Sequence, residues 1–387
     1  MAHPNAREIL AALVGFPTVS RDTNLPLIDW AEDYLNALGI ETHRVPKEGD
    51  PTKHGLFCSV GPDAPGGVVL SGHTDVVPVD GQNWSSDPWV VTERDGKLYG
   101  RGTCDMKGFD ALALHAFQKA VKADLKRPLQ IALSFDEEIG CAGAPPLIEA
   151  MQGTVPKADI AIIGEPSMMK CVTGHKGSFG FDVHVRGHEV HSSLLHTGVS
   201  AIMSGAELIT WANARNAENQ AATPSAIAEI FEPPWTTLHV GEIKGGTAHN
   251  ITAADCFFDI EFRLTPDASL ETWDARLREK VSELEAQMKA IHPDAGFTLN
   301  ESFRVPGLRP ETDGAAEARV RTITGDNGTH VVSYGTEAGH FQNADYSAVV
   351  CGPGNIEQAH QADEFISIAQ FEEGEAFLSK LIDTLCT

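Results

Sequence analysis

Hydrophobic residues recur along the first part of the chain at two spacings, one helical and one extended. Apolar positions three and four residues apart predict helices over 5–16, 25–38, 109–123 and 144–151. Short runs rich in apolar residues predict strands at 41–45, 68–70, 129–135 and 160–163, and another near the C-terminus at 348–351. Because strands and helices alternate, we predict an α/β domain with a mostly parallel sheet and helices on both faces.

The hydrophobic pattern changes between residues 179 and 300. Strictly alternating apolar and polar positions there predict half-buried strands, and longer amphipathic stretches predict helices. In chain order these elements fall at 179–185, 199–213, 237–243, 256–264, 269–291 and near Phe297. This β-α-β-β-α-β order is typical of a ferredoxin-like fold. We therefore predict an inserted α+β domain at 179–300, within a catalytic domain formed by 1–178 and 301–387.

Histidine and acidic side chains follow the predicted strands of the first domain directly. Four of them come just after strands in the first half of the chain: His73, Glu137, Glu138 and Glu165. His360 follows the last predicted strand, and Asp105 stands where a loop meets a predicted helix start. Ligands of such sheets bind beyond the carboxyl ends of the strands, so we expect these side chains to lie close together.

The composition of this set predicts a metal site. Clustered carboxylates oppose one another's ionisation, and a bound cation removes that cost. Nitrogen and oxygen ligands suit catalytic zinc, and five ligands suit two metals that share one carboxylate to polarise a carbonyl and activate water. The adjacent pair Glu137 and Glu138 leaves one carboxylate free as a general base. Asp75 can hold one imidazole nitrogen of His73, because residues two apart in an extended segment share a side.

Composition and charge exclude several classes of partner. The 387 residues carry a net charge of −25, which argues against nucleic acid or an anionic membrane. The charge is compatible with a positively charged substrate and equally with a role in solubility. No apolar run approaches the roughly 20 residues of a membrane span, and the first ten residues show no secretory signal. Seven scattered cysteines without a C-x-x-C pair indicate a reduced, cytoplasmic protein.

Five motifs in order resemble those of the dinuclear zinc deacylases and exopeptidases: SGHTDVVP, GRGTCDMKG, DEEIGCAG, GEP and GPGNIEQAHQADE. This family includes acetylornithine deacetylases, succinyl-diaminopimelate desuccinylases, aminoacylases and a glutamate-releasing carboxypeptidase. The motifs extend from Ser71 to Glu364, so the resemblance covers essentially the whole chain. The stretches GHEVHSSLLHTGVSAI, YGTEA and GPGNIEQAHQADE are most similar to the deacetylases that act on N-acetyl-L-ornithine. The resemblance implies release of acetate and L-ornithine in arginine biosynthesis, by a homodimer that binds two divalent metal ions.

The same resemblance assigns the metal ligands. It implies that Asp105 bridges two metal ions, which are zinc or, as a substitute, cobalt. His73 and Glu165 would complete one site, and Glu138 and His360 would complete the other.

The resemblance also assigns residues around the metals. Glu137 would be the general base, and Asp75 would orient His73. In the inserted domain, the family's dimerisation lid, His191 would reach the partner subunit's site and steady the oxyanion. Asn250 and Arg263 would hold the substrate carboxylate.

The chain departs from the family after the HSS run, where the family often has proline. Here Leu194-Leu195-His196 follows, so His196 is an alternative to His191. Glu337 in YGTEA is predicted to pair with the ammonium group of ornithine. A related N-acyl-amino-acid deacylase, desuccinylase or dipeptidase, and a non-catalytic binding protein on the same fold, stay open as alternatives. An intact base beside a complete ligand set favours the enzyme.

Overall fold

A computed structural model describes residues 3–387; Met1 and Ala2, the first residues of the stretch examined for a secretory signal, lie outside it. The chain divides into two compact units. The first unit comprises Met1–Gly174, Pro310–Val331 and Thr336–Thr387, and the inserted unit comprises His175–Arg309 and Val332–Gly335. None of the helices in the described residues combines the length and apolar character that a membrane span requires.

Regular elements follow one another closely along the chain. The elements up to the insertion are α1 (Ala6–Val14), α2 (Leu25–Ala37), β1 (Thr42–Lys47), β2 (Asp50–Val60), β3 (Val68–His73), β4 (Thr92–Arg94), β5 (Lys97–Tyr99), α3 (Lys107–Ala120), β6 (Leu129–Ser134), α4 (Ala144–Thr154), β7 (Ile160–Pro166) and β8 (Val172–His175). The inserted segment forms β9 (Gly177–Arg186), α5 (Ala201–Ala221), β10 (Thr237–His239), β11 (Ile243–Gly245), β12 (Asp255–Leu264), α6 (Leu270–Ile291) and β13 (Gly296–Val305). The remaining elements are α7 (Ala315–Thr324), β14 (His330–Val332), α8 (Ala338–Asn343), β15 (Ser347–Gly352), β16 (Phe365–Ser367) and α9 (Ile368–Leu385).

An eight-stranded sheet forms the centre of the first unit, in the order β1-β2-β6-β3-β7-β15-β8-β14. Its four central strands, β6, β3, β7 and β15, run parallel, and antiparallel strands flank them. β3, β6 and β7 are buried along their whole length, and β15 is buried after its first residue, because near-continuous apolar runs such as Val68-Val69-Leu70 supply apolar side chains to both faces. The predicted mostly parallel α/β fold is confirmed.

Helices cover this sheet and bury one extended core. A capping box between Asn5 and Glu8 fixes the start of α1. Apolar faces of α1, α2, α3, α7 and α9 share a core cluster with alternate strand residues such as Leu70 and Ile131. The strand residues between them, such as Ala132, are also buried but do not belong to that cluster. The helix α4 contacts strands β2 and β6. The carboxyl ends of the parallel strands therefore form a rigid edge.

The inserted unit is a four-stranded antiparallel sheet, in the order β10-β12-β9-β13, with β11 added to β12. The alternating positions of β12 are buried and exposed in turn, as its sequence predicts. Apolar residues of α5 and α6 complete the core of this unit. Its first and last segments meet where His175 and Leu308 exchange two main-chain hydrogen bonds of 3.1 Å each. The strand order is that of a ferredoxin-like fold.

One strand prediction in this unit is wrong. The segment 237–243 is two short strands, β10 and β11, rather than one. The chain turns between them because the carboxylate of Asp259 accepts hydrogen bonds from the main-chain N–H groups of Gly241 (3.0 Å) and Glu242 (2.7 Å). These two N–H groups are therefore bonded to a side chain and leave the strand ladder.

Candidate metal centre

His73 ends β3, the strand in the middle of the parallel group, and its side chain is buried. Its Nδ1 lies 2.9 Å from the main-chain carbonyl of Asp75. Because a carbonyl can only accept, this contact places the proton on Nδ1 and leaves Nε2 with a free lone pair. The carboxylate of Asp75, which was predicted to hold this nitrogen, lies farther away, at 3.6 Å.

The carboxylate of Asp75 instead organises the acidic loop after β6. It accepts hydrogen bonds from the main-chain N–H groups of Glu137 (3.1 Å) and Glu138 (3.3 Å) and from the hydroxyl of Ser20 (2.7 Å). One residue therefore contacts both His73 and the loop that carries two acidic side chains. Asp75 acts on the site through these neighbours.

Asp105 occupies the centre of the site, just before α3. Its Oδ1 lies 3.1 Å from Nε2 of His73, and its Oδ2 lies 3.2 Å from Nε2 of His360. The two oxygens of one carboxylate thus face two different histidines. This is the geometry that a carboxylate shared between two cations requires.

Glu165 and Glu138 each contact a different one of the two histidines. Glu165 Oε1 is 3.5 Å from Nε2 of His73, and Glu138 Oε2 is 3.0 Å from Nε2 of His360. Glu165 is the last residue but one of β7, and Glu138 follows β6, so the parallel strands place both carboxylates at one edge of the sheet. The five predicted metal ligands therefore meet at one place.

Glu137 also lies within this cluster. Its Oε2 is 3.9 Å from Nε2 of His73, and its Oε1 accepts a hydrogen bond from the thiol of Cys141 at 3.2 Å. Two groups have ligand atoms within 4.8 Å of one another: His73 with Glu137 and Glu165, and His73 with Asp105 and Glu138. A cation held by this cluster would thus have the carboxylate of Glu137 close by.

Burial and mutual repulsion raise the pKa values of the site's glutamates. Burial, followed by the carboxylates of Glu138 and Asp105, raises the pKa of Glu137 to about 8. Burial and then Asp105 raise the pKa of Glu138 to about 7. Contacts with Asp105 and Glu138 raise the pKa of His360 to about 10. The cluster thus contains more carboxylates than its positive charge can neutralise, so some of them hold protons more tightly than usual.

The residues present fit divalent cations. Among the described residues, Oε1 of Glu138 is buried without a hydrogen-bond partner. Buried polar atoms are usually satisfied, so this orphan oxygen needs a partner of another kind. The nitrogen and carboxylate oxygens of the cluster suit zinc and similar divalent metals.

A buried ionic contact of Asp136 holds the acidic loop in place. Asp136, directly before Glu137, is fully buried between the ammonium groups of Lys53 and Lys47, the latter at 2.6 Å. Lys53 also donates to the main-chain carbonyl of Ser20, whose hydroxyl bonds Asp75. Neither lysine could be predicted from the sequence, because no motif marks them and they meet Asp136 only in the fold.

Glu337 lies in the first unit and is buried. Both of its carboxylate oxygens accept hydrogen bonds, one from the hydroxyl of Ser71 at 3.0 Å and one from the hydroxyl of Ser134. Burial raises its pKa, which Ser134 and His73 lower in part. The structure therefore shows Glu337 with both oxygens already paired.

In the inserted unit, His191 and Asn250 lie beside each other on the surface. His191 pairs with Ile251 in an isolated bridge, and the N–H of Ser192 donates to the carbonyl of Asn250 at 2.9 Å. The side chain of His191 accepts from Ser193 N–H. His196, the alternative, lies in the short 3-10 helix Ser192–Thr197 that follows His191, and it is also exposed.

Arg263 lies at the other end of the same sheet. On β12 it pairs with Thr237 and Ser178, and its Nε lies 2.6 Å from Glu261. At the opposite end of β12, Asp255 pairs with Arg186 on β9, and this is the end from which the chain continues to His191. The inserted unit thus separates the predicted substrate contacts into two groups.

Comparison with known proteins gives consistent matches. Residues 69–384 match the model of peptidase family M20/M25/M40. An acetylornithine deacetylase of Myxococcus xanthus is 35% identical over 99% of this chain and 98% of its own. One from Pasteurella multocida is 33% identical over 99% of both chains. The crystal structure of an M20 family metallo-carboxypeptidase from Sulfolobus solfataricus has a similar fold, with a TM-score of 0.79, 16% identity and 99% coverage of both chains.

Proposed function

We propose a function from one premise: the chain belongs to peptidase family M20/M25/M40. The family resemblance predicted from the sequence motifs is thereby confirmed. The protein is a metal-dependent amidohydrolase that removes the acetyl group from N-acetyl-L-ornithine and releases L-ornithine and acetate. Full-length relatives that carry the name acetylornithine deacetylase support this substrate. The observation that carries the reaction type is Asp105, whose two oxygens face His73 and His360.

Two divalent metal ions are proposed for this cluster, zinc by preference, with cobalt as a substitute. His73 and Glu165 would hold one, Glu138 and His360 the other, and Asp105 both. When bound, such ions polarise an amide carbonyl and lower the pKa of water. The carboxylates with raised pKa values would lose their protons as positive charge enters the site.

Glu137 is proposed as the general base. It is the acidic residue of the loop that faces the cluster without contacting His360, and Asp75 fixes its main chain. Its carboxylate would take a proton from the attacking water and deliver it to the nitrogen of the leaving ornithine. The Cys141 thiol, which donates to Oε1, leaves Oε2 to accept that proton.

The inserted unit is proposed to supply groups that bind the substrate. His191 would donate a hydrogen bond to the developing oxyanion, and Asn250 and Arg263 would bind the substrate carboxylate. Arg263 lies eight residues along β12 from Asp255, which at about 3.3 Å per residue is roughly 26 Å. Main-chain pairing continues outward beyond Asp255 to the bridge between His191 and Ile251.

This separation supports a homodimer with shared sites. A small N-acyl amino acid is much shorter than the distance between Arg263 and His191, so one inserted unit cannot offer both to one substrate. In a two-fold dimer, each site would take Arg263 from one chain and His191 with Asn250 from the other.

An exposed apolar surface on the inserted unit supports the same assembly. The edge strand β11 is exposed along its length, and Ile243 lies on it. Ile202, at the start of α5, approaches the main chain of β11 at Gly245, and the neighbouring Met203 is 64% exposed. Unpaired strand edges beside apolar side chains are typical of surfaces that pair with a second copy.

A panel of N-acyl amino acids tests the proposal directly. The purified protein, supplied with zinc or cobalt, should cleave N-acetyl-L-ornithine with a higher kcat/KM than N-acetylmethionine, N-succinyl-diaminopimelate or a dipeptide. Ornithine release can be followed by amine derivatisation. A higher kcat/KM for the succinylated substrate or the dipeptide would contradict the proposed substrate while leaving the metal-dependent reaction intact.

A further inference from the structure

The fully buried side chain of Arg101 pairs with Glu364, a residue 263 positions away that is buried to the same extent. We propose that Arg101, Glu364 and Gln82 are positioning residues that fix the two metal ligands Asp105 and His360 relative to each other. The inference rests on the two-metal site of the proposed function. None of the three side chains would itself contact a metal or the substrate.

Glu364 holds the main chain that carries Asp105. Its Oε1 accepts hydrogen bonds from the N–H groups of Cys104 (2.9 Å) and Asp105 (3.0 Å). Its Oε2 lies 2.6 Å from the guanidinium of Arg101. A buried carboxylate with both oxygens hydrogen-bonded has little freedom to move, so the main-chain N–H of Asp105 is held in a fixed position.

Arg101 extends the same network towards His360. Its second terminal nitrogen donates to Oε1 of Gln82 at 2.6 Å and lies 3.3 Å from the carbonyl of Pro78. The guanidinium lies 5.1 Å from the ring centroid of Trp84. Gln82 then donates from Nε2 to the main-chain carbonyl of His360 at 2.9 Å.

These contacts form one continuous path between two ligands. It runs from the carbonyl of His360 through Gln82, Arg101 and Glu364 to the N–H of Asp105. His360 needs such support, because its side chain is 51% exposed and its main chain has a φ of 63°, an uncommon conformation for a residue other than glycine. Groups that orient metal ligands in this way typically change metal affinity by 10–100-fold.

The path predicts different effects at its two ends. Of the two ligands, Gln82 contacts only His360. Its loss should therefore weaken binding of the cation that His360 and Glu138 would hold, and leave binding of the other cation unchanged. Glu364 contacts the main chain of Asp105, the ligand that both cations would share. Loss of Glu364 should therefore weaken the binding of both cations. A purely structural role would lower the stability of the fold without separating the two metal affinities.

Titration calorimetry of metal-free protein with Co²⁺ tests this assignment. Gln82→Met should raise the Kd of one of two Co²⁺ ions by at least about tenfold, and Glu364→Gln should raise both. Gln118→Met is the matched control. Gln118 is partly buried like Gln82 and also donates to a main-chain carbonyl, that of Pro4 at 2.6 Å, but it does not contact the path. It should leave both Kd values unchanged.

Circular dichroism identifies variants that stay folded at the titration temperature. If Glu364→Gln does not fold, Gln82→Met alone decides, because it removes no charge from the interior. Wild-type Kd values for both ions in folded Gln82→Met would overturn the inference. Fewer than two Co²⁺ ions in the wild type would instead contradict the proposed function. Two ions without cleavage of N-acetyl-L-ornithine would contradict the proposed substrate and leave the positioning role standing.

Discussion

Asp105 contacts two histidines through separate oxygens, so its side chain would belong to both halves of the proposed metal centre. We expect Asp105→Ala to lower the content of both metal ions, because each ion loses the ligand that the two share. Atomic absorption after dialysis measures the metal content per chain. Glu165→Gln should affect one ion only and serves as the comparison. A full complement of two metals in Asp105→Ala would contradict the bridging role.

Glu137 is proposed to move a proton rather than to hold a metal. Glu137→Gln keeps the size of the side chain and removes its basicity, so kcat should fall at least roughly a hundredfold while two metals remain bound. Steady-state kinetics and metal analysis on the same sample check this. Glu149→Gln, an exposed change on α4, should leave kcat at the wild-type value. Near-normal turnover of Glu137→Gln with intact metals would remove Glu137 as the base.

Glu337 is predicted to recognise the ammonium group of ornithine, although Ser71 and Ser134 already bond both of its oxygens. If it acts on that ammonium group, Glu337→Gln should reduce kcat/KM for acetylornithine more than for acetylmethionine, because only the first carries the positive charge. The ratio of the two kcat/KM values is the measurement. Equal losses would assign Glu337 to the support of the strands that carry the two serines.

At the scale of elements, the loop after β6 depends on Lys53 for its position. Lys53→Met leaves Asp136 buried with only the half-exposed Lys47 as a partner. Breaking a buried pair in this way costs about 3 kcal/mol or more, which urea denaturation would show as a lower free energy of unfolding. Lys126→Met removes an exposed pair with Asp124 and should cost less than about 1 kcal/mol. Equal costs for the two variants would contradict the anchoring role.

The hydrophobic pattern predicts some buried elements closely and misses others, among them the strand β2, the C-terminal helix α9 and the short edge strands. The strand at 129–135 and the helix at 269–291 are observed as β6 and α6 within one residue at each end, because one strand is apolar throughout and the helix has a sustained apolar stripe. The small sheet of β4, β5 and β16 was not predicted. Its three-residue strands are too short to show a period, and β16 joins them from the far end of the chain.

In the site, too, features that depend on neighbouring residues could be predicted, and features that depend on contacts between distant residues could not. Metal-ligating residue types next to strand ends could be recognised from the sequence, because the fold places strand ends together. Which atom of Asp75 orients His73 could not, since it depends on a distance difference of 0.7 Å between its carbonyl and its carboxylate. The contact of Arg101 with Glu364 spans 263 residues and leaves no periodic signal.

At the scale of the whole molecule, shared sites predict recovery of activity between two inactive variants. Glu137→Ala keeps His191, and His191→Ala keeps Glu137. Each homodimer should be nearly inactive. A mixed dimer should contain one complete site, with Glu137 from one chain and His191 from the other.

Random remixing at equal amounts makes about half of the dimers mixed, so activity should approach roughly a quarter of the wild-type value. Turnover before and after exchange of subunits measures the recovery. Wild-type chains remixed with themselves provide the control for losses during exchange. An absence of recovery, with mixed dimers demonstrated by differential tagging, would rule out a histidine supplied by the partner.

The paired ends of the inserted unit have a consequence for the gene. His175 and Leu308 bond each other's main chains, so the long segment between them begins and ends at almost the same point. Insertions whose ends lie close together can be exchanged with little disturbance to the host. The segment His175–Arg309 is one continuous stretch of coding sequence, so recombination at two joints can exchange it as a cassette, while Val332–Gly335, encoded later, stay with the host gene.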